Sequence, residues 1–217
     1  MSAIIGEAKR FTRMGILVAT TAVLGVLFAI EGVASAAVVA GPDIIPAPSS
    51  VADSDPGAFN DHQQAFDERQ GVVLPVAVDT DNGSIPAGTR VNSHMIFLNQ
   101  QDDSTGLISD LSKVWRFDGP IIGVMSDIGG TLEALSTAIL GAPGTFYPGA
   151  YANRGLEGGD DGYVVAGNTI TVSMNVSQPG DWIRVVTALS VGGTTSFLTE
   201  SSGSSAGGKS LQALSPP

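Results

Sequence analysis

The sequence predicts a mainly β protein, an antiparallel β-sandwich or jelly-roll-like domain with one short helix. Three observations carry that prediction. Residues 169–176, "TITVSMNV", alternate strictly between apolar and polar side chains, as a half-buried antiparallel strand does. Short β-branched runs recur along the chain between glycine, proline and asparagine turns. Only one window, "TLEALSTAILG", carries helical spacing, with Leu132, Leu135, Ile139 and Leu140 on one face and Gly141 and Pro143 as stops. Seven to nine strands, many turns and one helix suit a sandwich rather than a parallel sheet.

The amino terminus reads as an export signal. Lys9, Arg10 and Arg13 precede an uncharged apolar stretch over residues 15–30, and Ala34 and Ala36 flank Ser35 in the small-residue pattern that signal peptidases cut. Cleavage is expected between Ala36 and Ala37. A bilayer core needs about 20 apolar residues; this run is shorter and ends at Glu31, so removal is expected over retention as an anchor. No later stretch is long and apolar enough to span. The expected domain plan is a signal peptide over 1–36, a proline-rich arm over 37–70, a β-sandwich over 71–199 and a low-complexity tail over 200–217.

Removing residues 1–36 takes away three basic and two acidic groups. Seven basic and nineteen acidic residues remain, a net charge of −12. Such a chain repels phosphate backbones, which excludes nucleic-acid binding by counterion release. It also has no cysteine, which excludes disulfides, thiolate chemistry and cysteine-ligated zinc. Stability must come from a packed core, and 181 residues suffice to bury one.

The elements follow in order. Prolines 42, 46, 48 and 56 remove backbone donors, so residues 37–70 read as an extended arm with one edge strand and a helical turn over "HQQAFDERQ". "VVLPVAV" (72–78) is a strand, Asn82-Gly83 a turn, and 89–98 the next strand. "KVWRFDG" and "IIGVM" are two further strands parted at Gly119-Pro120. "YVVA" and "TITVSMNV" form a hairpin about Gly167-Asn168. "QPGD" then turns the chain, "WIRVVTALSV" returns it, and "TTSFLT" is a possible closing strand. Residues 200–217 lack the apolar content to order themselves.

Candidate chemistry is sparse. His94 has no sequence partner that would make it a general base, so the expected role is a hydrogen-bonded strand residue near the rim of the core. "GVMSD" around Ser126 lacks the second glycine of a nucleophile elbow. Oxygen donors for calcium are offered by Asp79 and Asp81 in "DTDNGS" and by Asp160 and Asp161, beside Glu157, in "GLEGGDDGY". The first loop is no EF-hand, because Gly83 and Arg90 stand at its fifth and twelfth positions. Exposed turns are the competing reading for both loops. Glu157 and Asp160 share one glycine-rich loop, which is not the rigid cleft of a glycosidase pair. Tyr147, Tyr151 and Arg154 are candidate ligand-binding residues for a sugar or a protein partner, against a loop that packs its aromatics beneath itself. No cofactor motif occurs; calcium is the one candidate ion.

The phrases "QQAFDERQGVVLPVAVDTDNGSIPAGTRVNSHMIFLN", "FDGPIIGVMSD", "LGAPGTFYPGAYANRGLE" and "QPGDWIRVVT" resemble a recurrent type of exported bacterial protein that often ends in a PEP-CTERM sorting tail. The resemblance covers roughly residues 38–190. It implies a cell-envelope or extracellular setting, with extracellular polysaccharide or envelope proteins as partners. The end of this chain departs from the type: "SLQALSPP" has no Pro-Glu-Pro motif and no apolar helix with a basic terminus. The expected function is a non-enzymatic structural or adhesive protein, with a calcium- or carbohydrate-binding module and a secreted polysaccharide hydrolase as alternatives.

Overall fold

The fold comes from a computed structural model, which describes residues 37–100, 106–177 and 179–189. The expected signal peptide, the closing strand "TTSFLT" and the carboxyl-terminal tail lie outside these residues. No helix among the described residues is long and apolar enough to cross a membrane.

Among the described residues, eleven strands and one α-helix follow in chain order: β1 (Val38–Ala40), β2 (Gln64–Asp67), β3 (Val72–Val73), β4 (Val78–Thr80), β5 (Gly83–Ile85), β6 (Arg90–Leu98), β7 (Ile108–Phe117), β8 (Ile121–Met125), α1 (Thr131–Leu140), β9 (Gly162–Ala166), β10 (Thr169–Val176) and β11 (Asp181–Ala188). One antiparallel sheet has the order β1-β7-β10-β9. The second has the order β2-β6-β11-β8, with β3 also paired to β6. β4 and β5 form a separate hairpin.

The two sheets face each other across an apolar interior, the arrangement of a β-sandwich. Ile170, Val172, Met174 and Val176 of β10 are buried against Ile96 and Leu98 of β6 and Ile183 and Val185 of β11. The alternation legible in β10 holds at every position, because its outer face is left to solvent. β6 and β11 instead are buried along nearly their whole length. Their outer face is covered by α1, by the β4–β5 hairpin and by the segments around Val51 and Tyr147.

Local departures from the sequence reading have physical causes. Residues 37–70 supply an edge strand to each sheet, β1 and β2. The helical turn expected over "HQQAFDERQ" is replaced by β2, which pairs with β6 from Gln64↔Phe97 to Asp67↔His94. Ala65 packs between the sheets and Phe66 on the far side, so period two is what burial rewards there. Gln63 beside it is fully buried. It donates to the carbonyls of Asp110 and Val172 and accepts from Trp115 Nε1, so its polar groups are satisfied inside the sandwich. Pro75 divides the strand expected over 72–78 into β3 and β4.

Helix α1 forms where the spacing placed it but presents a different face. Leu140 is buried, while Leu135 is 77% exposed and Glu133 and Ser136 are buried. The cause lies beneath it in Arg184 of β11, whose guanidinium donates to Glu133 O at 2.6 Å and Ser136 Oγ at 2.7 Å. A buried cation needs oxygen partners more than a leucine needs burial, and this sets the rotation of the helix.

Candidate metal centre

The residues of interest lie where the sandwich ends, at the start of β11. Asp181 opens that strand on the same side as Ile183 and Val185, so its side chain points between the sheets. It is only 2% exposed, and its Oδ2 has no hydrogen-bond partner. An unpaired buried oxygen of this kind costs about 1–3 kcal/mol unless something binds it.

Two more carboxylates meet it. Glu157, Asp161 and Asp181 place carboxylate oxygens all within 4.8 Å of one another. The chain before them is pinned at several points. Arg154 N and Leu156 N donate to Ile128 O and Ser126 O at 3.0 Å each, and Trp182 N donates to Arg154 O at 2.9 Å. Gly155 approaches the backbone of Asp127 so closely that a Cβ there would lie 2.0 Å from its carbonyl oxygen. Gly158 and Gly159, both at positive φ, then reverse the chain. Asp161 is fixed by accepting the Asn175 backbone N–H of β10. The three acids therefore sit on two anchored segments, residues 153–161 and the start of β11.

Electrostatics agree with the geometry. Burial, then the charges of Glu157 and Asp161, push the Asp181 carboxyl up to about 8. Burial, then Asp161, push Glu157 up to about 7. Carboxylates this close, with Asp181 buried, Asp161 half-buried and Glu157 exposed, ionise together at a cost that a cation would offset. The adjoining cavity, about 240 Å³, is bordered by Asn153, Glu157, Asn175, Ser177 and Asp181. The carboxylates of Glu157 and Asp181 border it, and such hard oxygen donors suit a hard cation; calcium takes oxygen ligands at about 2.3–2.6 Å.

Of the residues singled out in sequence, Glu157 and Asp161 belong to this cluster. Asp160 is exposed beside it. Asp79 is exposed on β4. Asp81 accepts from Ser126 N and Oγ and from Tyr163 Oη, which ties the β4–β5 hairpin to the end of β8 and to β9. Asp127 caps α1 by accepting from Thr131 N and Leu132 N. Tyr147 is half-buried, donates to Glu68 Oε1 and accepts from Ala142 N. Arg154 is buried, paired with Asp53 at 3.2 Å and lying over the rings of Trp182 and Tyr151. Tyr151 alone of these three is exposed to solvent. His94 is fully buried, bonded to Asp67 Oδ1 and Thr187 Oγ1 and packed on Phe117, a strand residue tying β6 to its neighbours.

Asp181 went unread in the sequence because "QPGD" looks like an ordinary turn. Its parity with Ile183 and Val185 was the available signal: an acid on the apolar side of a strand. No protein-family model, curated protein or solved structure matches this chain.

Proposed function

We propose that this chain is an exported, non-enzymatic β-sandwich of the cell envelope or extracellular matrix whose working site is a calcium centre formed by Glu157, Asp161 and Asp181. One observation carries the reading: a buried, unpaired carboxylate oxygen of Asp181 facing two further carboxylates. Calcium compensates three crowded negative charges and locks the 153–161 segment to β10 and β11. Millimolar calcium outside the cell suits a solvent-facing site of this kind. The export signal and the resemblance to exported bacterial proteins support the setting, with extracellular polysaccharide or envelope proteins as the partners there.

The test is the thermal unfolding midpoint of the purified protein with excess calcium and with chelator. A cation that binds only the folded state at 100 times its Kd stabilises by about 2.7 kcal/mol, which at this chain length raises the midpoint by roughly 5–10 °C. That rise should vanish in Asp181→Asn. An unchanged midpoint in the parent protein would overturn the calcium centre, and retention of the intact chain in the cytoplasm would overturn the setting.

A further inference from the structure

The outer face of the four-stranded sheet differs from the rest of this acidic molecule. Thr171 of β10 pairs with Val114 of β7 on one side and Val164 of β9 on the other, forming one outward row. Val114 and Val164 are 53% and 70% exposed. A second row joins Arg116, Thr169 and Ala166, and Val39 of β1 is exposed at the edge. The outward positions of these four strands carry valine, alanine, glycine, threonine, serine, asparagine and the exposed Leu111, a single charge at Arg116, and no carboxylate.

Charge decides what can cover such a face. The whole chain carries −11, so two copies repel wherever carboxylates oppose one another. Here they do not. Arg116 marks one end of the face, in the row of Ala166, where β9 finishes. Asp160, exposed, stands just before β9, at the opposite end. A two-fold axis lying in the interface across the strands brings the Arg116 end of each copy over the Asp160 end of the other. Size sets the strength. The strands β1, β7, β10 and β9 have three, ten, eight and five residues, which at about 3.3 Å per residue and about 4.8 Å between strands give about 400 Å² per copy. That makes about 800 Å² in all, the size of a weak, transient interface.

We propose that this face is a self-association surface, on which a second copy of the chain stacks sheet against sheet with antiparallel strands in an isologous dimer. This rests on the register and charge of β7, β9 and β10 and is independent of the calcium centre.

The test is the solution mass of the purified protein by analytical ultracentrifugation from about 1 to about 200 µM, the range in which an interface of minimal size dissociates. The parent protein should pass from monomer to dimer. Thr171→Asp, which places opposed carboxylates at the centre of the face, should stay monomeric throughout with an unchanged unfolding midpoint. Arg116→Glu, at an exposed position, should weaken association at least tenfold and serves if Thr171→Asp fails to fold. A parent that is monomeric throughout overturns the proposal, as does a dimer that persists in a folded variant.

Discussion

Arg184 and Glu68 form a two-pronged ion pair with no solvent exposure on either side chain: Nε to Oε2 and Nη2 to Oε1, both at 2.7 Å. Every oxygen of the pair has further support. Ser93 Oγ donates to Oε2 and Tyr147 Oη to Oε1, while Nη1 of Arg184 reaches Glu133 O and Ser136 Oγ. One interaction thus joins the segment after β2, β6, β11, α1 and the loop after α1. Charge assistance and planar geometry make such a pair strong only while both halves remain.

Removing one half should be costly. Glu68→Ala leaves a fully buried guanidinium without its counter-charge and is expected to lower stability by about 3–5 kcal/mol. Urea unfolding followed by circular dichroism measures it. A loss below 1 kcal/mol would mean that α1 is held by its leucines instead.

Two leucines of one helix should behave oppositely. Leu140 is fully buried with Met125 and Val186, so Leu140→Ala is expected to cost about 2–5 kcal/mol. Leu135 faces solvent, so Leu135→Lys should stay within about 0.5 kcal/mol. Equal losses at the two sites would contradict the rotation of α1 described above.

Stability should fall with rising pH when calcium is absent. Asp181 is pushed up to about 8, chiefly by burial, and so is Glu133, whose two carboxylate oxygens are buried without partners. Both values exceed the ordinary carboxyl range of the unfolded chain, about 4. Between about pH 4 and pH 8 the folded state therefore holds more protons than the unfolded one, and stability declines as pH climbs through that window. Calcium competes with those protons, so its stabilising effect should grow over the same interval. Unfolding midpoints at pH 5, 6, 7 and 8 with calcium and with chelator would show it; parallel curves would refute the coupling.

Gly155 should be intolerant of any side chain. A Cβ there meets the Asp127 carbonyl, so Gly155→Ala must displace the strand of chain that carries Glu157. The expected outcome is weaker calcium binding by isothermal titration alongside a lower unfolding midpoint. Unchanged calcium affinity in a folded variant would separate this contact from the site.

The alternating side chains of β10, the Gly167-Asn168 turn and the helical spacing of residues 131–140 were legible because each is a local periodicity set by backbone geometry. Those signals suffice for a β-sandwich with one helix. They do not say which strand lies beside which: β11 follows β10 in sequence yet crosses to the other sheet, between β6 and β8. Tertiary structure alone decided that crossing, and with it the site. Asp181 lies twenty residues from Asp161, and no spacing rule links an acid after a proline turn to one before an edge strand. Their meeting depends on two sheets packing face to face and bringing chain ends together. The rotation of α1 was hidden for a similar reason, since it answers to Arg184, a residue that looks like a surface cation until β11 is buried on both faces. Sequence alone determined the local backbone habits and the export expectation. Long-range burial, which rewards satisfied polar partners as well as apolar contact, decided where the charges meet.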